Sequence, residues 1–184
     1  MRYHFGFAAG NDVMRLCLSA SLLALALVAP ASADIVDSAT ERALSLPGSN
    51  FKIVIPREDW LITREQTRTD VKSVYYALGS AKRDMTLWLF IDQTPVCQSA
   101  KACLELALKN KAYDDAKDMS FSEQDGFNIV QFTLEPAKDG VKQRHLIAAT
   151  YLDGAWIDVH FFQTIKLKTN PEAVFNALKL ISIK

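Results

Sequence analysis

The sequence predicts an α+β domain built on a largely antiparallel sheet with helices on its faces. Asp-Gly pairs at 125–126 and 153–154 each stand between runs of apolar and β-branched residues, which is typical of β-hairpins with type I′ turns. Apolar residues at helical spacing follow Ser99 and Asn170. Because hairpins and not regular strand–helix–strand units join the strands, we expect antiparallel pairing.

Residues 1–33 are expected to be a cleaved secretory signal peptide. The apolar run 16–28 is too short to span a membrane, Arg15 precedes it, and residues 31–33 read Ala-Ser-Ala, as a cleavage site does. Translation could start at Met14, because a leader that begins there has ordinary signal-peptide proportions, whereas the stretch before Met14 is an unusual, weakly charged addition. Cleavage after Ala33 would leave 34–184, whose length suits a single periplasmic or secreted domain.

The charge balance argues against two classes of partner. The chain carries 21 basic and 21 acidic side chains, and the leader holds only Arg2, Arg15 and Asp12 of these. Nucleic acid or an anionic membrane surface would favour a basic excess, so we expect neither as a partner. No later segment is long and apolar enough to insert into a bilayer. The oligomeric state is left open.

The first half of the predicted mature chain has the patterns of one helix and three strands. Ser38 and Glu41 have the spacing of a capping box, which predicts a short helix ending before Pro47. Residues 51–55 alternate as a strand does, and 72–78 and 85–91 predict two more strands. The last, MTLWLFI, is apolar on both faces and should be central. The charged stretch 64–72 is interpreted as a solvated loop.

Cys97 and Cys103 are expected to form a disulfide, because an exported protein folds under oxidising conditions. Within one helix their Cα atoms would lie about 9 Å apart, beyond the reach of a disulfide. Cys97 is therefore placed in a loop, with Ser99 capping a helix that runs to about residue 111. A redox or metal-binding pair is the alternative, but the spacing is not Cys-x-x-Cys and no histidine is near.

The stretch 144–163 is expected to be the central hairpin, followed by a last helix that begins at Asn170 and Pro171. A turn at 153–154 pairs residue 155 with 152 and residue 162 with 145, which sorts the side chains into two faces. One face is almost entirely apolar and should be core. The other, here called the mixed face, carries these residues: His145, Ile147, Ala149, Tyr151, Trp156, Asp158, His160 and Phe162.

Four segments together resemble the superfamily of PsbP and Mog1-like proteins: FKIVIP followed by Trp60, MTLWLFI, YLDGAWIDVHF and PEAVFNALKLISIK. The resemblance covers most of residues 50–184 and implies an α/β/α sandwich around an antiparallel sheet. Plant members of this superfamily assist photosystem II, the Mog1 branch binds a small GTPase, and many small exported bacterial members have no assigned role. The resemblance brings no catalytic motif, so no residue inherits a function from it.

The sequence favours a binding protein over an enzyme. It has no nucleophile elbow, P-loop, dinucleotide fingerprint, EF-hand loop or zincin helix, so we assign no catalytic residue, no metal ligand and no cofactor. The first hypothesis is an exported, non-enzymatic accessory protein that recognises a protein partner in the envelope, including an inhibitor or immunity role.

Two alternatives use the mixed face of the hairpin. A small ligand or a divalent metal could bind there, and the candidate ligand-binding residues are His145, Tyr151, Trp156, Asp158 and His160. A hydrolase is the third hypothesis and would need both histidines and Asp158 to converge on one water. The same residues could also be structural, with Asp158 and His160 satisfying each other by hydrogen bonds and the aromatic residues forming ordinary core.

Overall fold

The computed structural model describes residues 34–184 except 47, 69, 71, 136–140 and 167–168. The predicted signal peptide at 1–33, its cleavage site and the alternative start at Met14 lie outside the described residues. Within the described part, eleven strands and two short α-helices form two antiparallel sheets with helical cover on parts of the larger one.

The smaller sheet has four strands in the order β1–β2–β3–β11. They are β1 (Asp34–Asp37), β2 (Glu41–Ser45), β3 (Ile53–Pro56) and β11 (Ser182–Ile183). The predicted short helix after Ser38 is wrong. Ser38 and Glu41 instead close the tight turn between β1 and β2, where the Glu41 amide donates to the Ser38 hydroxyl at 2.9 Å. The same serine-to-amide bond serves turns and helix caps alike, which is why the pattern misled.

The larger sheet has seven strands in the order β4–β5–β6–β10–β9–β8–β7. They are β4 (Leu61–Arg68), β5 (Ser73–Ser80), β6 (Met85–Asp92), β7 (Lys117–Gln124), β8 (Phe127–Leu134), β9 (Gln143–Leu152) and β10 (Ala155–Thr164). The predicted hairpin is confirmed in its register, since Ala155 pairs with Leu152 and Phe162 with His145. Asp153 and Gly154 both have positive φ, 49° and 81°, as a type I′ turn requires.

Two α-helices complete the described chain, α1 (Ala100–Leu108) and α2 (Ala173–Leu178). The predicted cap is confirmed, because the Ser99 hydroxyl accepts a hydrogen bond from the Ala102 amide. A 3₁₀ turn at Lys111–Tyr113 follows α1. The last helix begins later than predicted, since Asn170 caps only the turn before it. No helix of the described chain is both long and apolar enough to cross a membrane.

The predicted α/β/α sandwich is wrong, because the protein is mostly antiparallel β-sheet. Seven strands at about 4.8 Å spacing make a sheet about 29 Å wide, which helices of nine and six residues cannot cover. One face packs against the smaller sheet and α2, and α1 covers only part of the other. The first part of the stretch 64–72 interpreted as a charged loop, residues 64–68, instead belongs to the edge strand β4 and extends the sheet.

The two faces of the larger sheet have separate apolar cores. The predicted core face of the hairpin forms the larger one together with β3 and α2, and Phe161 in its centre contacts Trp60 at a ring distance of 5.7 Å. Tyr76, fully buried, donates to the Ser45 carbonyl at 3.3 Å and so links the two sheets. The smaller core lies on the mixed face under α1, around Leu104 and Phe132.

Cys97 and Cys103 form the predicted disulfide, with their Cα atoms 5.1 Å apart. Cys97 lies in the loop after β6 and Cys103 in the first half of α1. We expect the double variant Cys97→Ser/Cys103→Ser to lose about 2 kcal/mol of unfolding free energy, because the cross-link closes only a short loop in the unfolded chain. Urea denaturation at pH 7 measures this loss. Reducing the wild type should reproduce it, and a variant as stable as the oxidised protein would contradict the expectation.

Candidate functional site

The mixed face of the hairpin continues across the neighbouring strands of the larger sheet. Strand register places Phe132 of β8 beside His145, and Trp88 of β6 beside His160. On the far side, Ala77 of β5 lies opposite Trp88, and Arg64 of β4 lies opposite Ala77. A single row across the sheet therefore runs from a charged edge, through an exposed tryptophan, to a buried histidine.

His145 and His160 form a direct hydrogen bond inside this face. Nδ1 of His145 lies 2.9 Å from Nε2 of His160, and each residue is only 5% exposed. The diagonal placement of the two side chains follows from the register that pairs His145 with Phe162. The sequence-predicted neighbours thus meet, but within a packed layer and not on an open surface.

The histidine pair is the middle of a longer hydrogen-bonded chain. Nε2 of His145 lies 3.2 Å from Oε1 of Gln143, and the Tyr113 hydroxyl lies 3.4 Å from Nδ1 of His160. The Gln143 oxygen can only accept, so His145 donates from Nε2 and must accept at Nδ1 from His160. His160 then accepts at its own Nδ1 from Tyr113. We call this series of four side chains the histidine chain; with both imidazoles neutral, every ring nitrogen has its partner.

Burial keeps the histidine chain neutral. It lowers the pKa of His145 to about 4. The pKa of His160 falls to about 3, first through burial and then through repulsion from His145. Burial also raises the pKa of Tyr113 to about 12, and the carboxylate of Asp158 adds to that rise. Both imidazoles are therefore uncharged near neutral pH, in agreement with the hydrogen-bond directions.

Asp158 lies two residues before His160 on the same face but does not bond to it. Its Oδ1 atom has no contact with solvent and no hydrogen-bond partner within the described structure, and the same holds for Nε1 of Trp156. Burial raises the pKa of Asp158 to about 7. The mutual hydrogen bond expected between Asp158 and His160 is therefore absent from the described chain, and the carboxyl group is held at the edge of ionisation.

The geometry does not support the metal and hydrolase alternatives. Across 34–184, leaving aside the undescribed gaps, no three His, Cys, Asp or Glu side chains lie close enough to hold a metal ion. Both nitrogens of each imidazole are already engaged, and Asp158 does not orient either ring. A general base needs a free nitrogen within reach of a bound water or substrate, and the two histidines offer none.

The other half of the mixed face carries aromatic side chains without helical cover. α1 packs over β8, β9 and β10, so in the described chain no helix lies on this face above β4, β5 and β6. Four residues line the open region, which we call the aromatic surface: Tyr75, Trp88, Phe90 and Phe162. Trp88 is 38% exposed, and its ring contacts Phe162 at 4.7 Å and His160 at 5.3 Å between centroids.

No protein-family model and no curated protein matches this chain. The resemblance to PsbP and Mog1-like proteins therefore stays a prediction.

The structure brings together only part of the predicted ligand-binding set. His145 and His160 meet, and Asp158 lies beside them without a bond. Tyr151 and Trp156 lie near the turn and pack against the smaller core. Sequence reasoning missed Gln143, although its place two residues before His145 on one strand puts it on the same face. It also missed Tyr113, which enters from the 3₁₀ turn and for which the sequence held no signal.

Proposed function

We propose that the protein is an exported, non-enzymatic binding module that recognises a partner protein through its aromatic surface. The observation that carries this proposal is the position of Trp88, which is 38% exposed although β6 lies between β5 and β10 inside the sheet. Inner strands of a packed sheet normally have their large apolar residues covered. A contiguous apolar patch that stays open marks an interaction site.

The most exposed apolar side chains of the described chain lie at the margins of the fold. Leu61, Val96 and Phe121 are 70%, 72% and 65% exposed, but they lie on edge strands or in a loop. Single apolar residues at such places are ordinary on protein surfaces. Trp88 differs because its ring is continuous with Tyr75 and Phe162, at centroid distances of 6.4 and 4.7 Å.

The rim of the aromatic surface favours an acidic partner. Arg64 stands on the same face at the edge strand β4, and its guanidinium donates to Gln66 at 3.2 Å. Among the described residues, no carboxylate forms an ion pair with Arg64. Residues that contribute most to binding at protein interfaces are enriched in tryptophan, tyrosine and arginine. We infer an apolar anchor on the partner with a carboxylate beside it.

Export is part of the same proposal. The disulfide between Cys97 and Cys103 is typical of oxidising compartments such as the periplasm. The predicted leader at 1–33 supports the same compartment. The partner is therefore expected among envelope proteins, which include secreted or envelope-directed toxins if the role is inhibitory.

A photo-crosslinking amino acid at position 88 tests where the partner binds. We expect it to capture one discrete protein in living cells, whereas the same probe at Leu180 captures none. Leu180 is a matched control, because it is also 38% exposed but lies just after α2. Trp88→Ser should then weaken binding of that protein about 30-fold by calorimetry, as expected for a central aromatic contact worth about 2 kcal/mol. Equal capture at both positions, or unchanged affinity, would falsify the proposal.

A further inference from the structure

The histidine chain joins two parts of the molecule that are otherwise held by a small apolar core. Tyr113 belongs to the 3₁₀ turn after α1, whereas His160, His145 and Gln143 belong to the larger sheet. The Tyr113 ring also packs on Phe132 at 5.3 Å. Among the described residues, the smaller core beneath α1 contains seven that are buried, against twenty-five in the core on the opposite face. Local opening is expected where fewer buried apolar contacts hold a segment in place.

The histidine chain tolerates an added proton poorly. Its hydrogen bonds can reverse direction to accommodate one proton, but the positive charge then stays among the rings of Phe132, Phe162 and Trp88. A buried charge without a bonded counter-ion costs several kcal/mol in such surroundings. A second proton would leave an N–H on each side of the 2.9 Å contact between the imidazoles. Water can solvate either ring if the segment that covers it moves away.

The covering segment has two fixed ends. The disulfide ties Cys103 in α1 to the loop after β6, and β7 begins at Lys117. Between these two ends, residues 104–116 comprise most of α1 and the 3₁₀ turn that contains Tyr113. Leu104 is buried, but Leu106, Ala107, Leu108 and Tyr113 are only half-buried. We call residues 104–116 the flap, because this segment is fixed at both ends and covers the mixed face with partly exposed side chains.

We propose that the histidine chain is an acid-released latch: protonation of the His145–His160 pair detaches the 104–116 flap from the mixed face, while the disulfide keeps the flap tethered at Cys103. This inference does not depend on partner binding at the aromatic surface. Binding of a proton only to the open form shifts the equilibrium toward that form by mass action.

The groups around the pair define how it responds to pH. Tyr113 faces it from the 3₁₀ turn and Asp158 is on β10, whereas Phe132 of β8 and Trp88 of β6 are uncharged. The charged side chains of the flap are exposed and reach solvent: Glu105, Lys109, Lys111, Asp114 and Asp115. The pH response of Asp158 is opposite to that of the histidines. Burial raises the pKa of its carboxyl group, which is therefore neutral at low pH, and the neutral form favours the closed flap. Asp158→Asn therefore isolates the response of the histidines.

Hydrogen exchange measured by mass spectrometry at pH 7 and pH 4.5 tests the latch, after correction for the intrinsic pH dependence of exchange. The purified, oxidised protein is compared with its Asp158→Asn variant. In that variant, we expect peptides within 104–116 to lose protection at least about tenfold at pH 4.5, while peptides of β5 and β6 keep theirs. Unchanged protection of the flap, or equal loss throughout the sheet, overturns the proposal.

Two matched variants separate the latch from general loosening. Tyr113→Phe keeps the ring packing and removes the hydroxyl that bonds to His160, so the flap should lose several-fold protection already at pH 7. Tyr151→Phe makes the same chemical change elsewhere on this face and should leave the flap unchanged. Equal behaviour of the two variants would show that Tyr113 does not anchor the flap.

Discussion

Replacing Asp158 with asparagine is expected to stabilise the protein by about 2 kcal/mol at pH 8 and to change its stability little at pH 3. Burial raises the pKa of this carboxyl group from 3.8 to about 7, and Oδ1 has no hydrogen-bond partner in the described structure. The full difference in pKa corresponds to about 4 kcal/mol, and we halve it because Asp158 is only half-buried. An amide of nearly the same shape carries no charge to desolvate.

The sign follows from which state loses its proton first. As the pH rises from 4 to 7, the carboxyl group of the unfolded chain ionises while that of the folded protein does not, so the wild type loses stability across this window. The asparagine variant lacks this loss. Both proteins share the titration of the histidines, and the difference between their urea denaturation curves therefore isolates the carboxyl group.

Asp92→Asn provides the matched control for this measurement. Asp92 is half-buried on the same face, but its carboxylate accepts a hydrogen bond from the Thr94 amide at 2.8 Å. Its replacement should give no gain at pH 8, since a satisfied carboxylate is not destabilising. Identical curves for Asp158→Asn and the wild type at pH 8 would mean that Asp158 is solvated in solution.

The central hairpin could be predicted from sequence because its signals are local. The Asp-Gly turn at 153–154 fixes the register of β9 and β10, and alternation then assigns every side chain to a face. The diagonal contact of His145 with His160 follows from these two facts. The helix cap at Ser99 and the disulfide were predictable for the same reason, since each depends on residues close together in the chain.

The fold class was not predictable because it depends on which elements cover the sheet. β4 is a strand only because β5 pairs with it, although six of its eight residues are exposed and its sequence is polar. The same polar pattern predicts a loop when no partner strand is known. α1 and α2 have clear helical patterns, yet their lengths leave much of the sheet to be covered by the smaller sheet or left open.

The candidate site shows the same division between local and tertiary information. Sequence placed His145, Asp158 and His160 on one face, but their environments depend on where the nine-residue α1 crosses the sheet. Under α1 and the 3₁₀ turn, both histidines are 5% exposed, and His160 is bonded to Tyr113. One strand further on, beyond the cover, Trp88 is 38% exposed. One face thus has a closed polar chain and an open aromatic surface in direct contact at His160 and Trp88.

Replacing His160 alone with leucine is expected to cost about 3 kcal/mol of unfolding free energy at pH 7. The change leaves Nδ1 of His145 and the hydroxyl of Tyr113 without their partners, and each unsatisfied buried group costs about 1–3 kcal/mol. His145→Leu should cost less, because Gln143 is half-buried and can find water in place of its lost donor. Urea denaturation of both single variants gives the two values.

The double variant His145→Leu/His160→Leu completes the cycle and should be more stable than the two single losses predict, by at least about 1 kcal/mol. Removing both rings leaves no orphaned nitrogen between them.

The double variant should also resist acid. The unfolded wild type takes up protons near the ordinary histidine pKa of 6.5, whereas the folded pair does so only near pH 4 and below. Wild-type stability therefore falls between pH 6.5 and 4 through these two groups, and that contribution should be missing from the double variant. Strictly additive losses with an unchanged pH response would show that the two imidazoles act independently and that the latch does not exist.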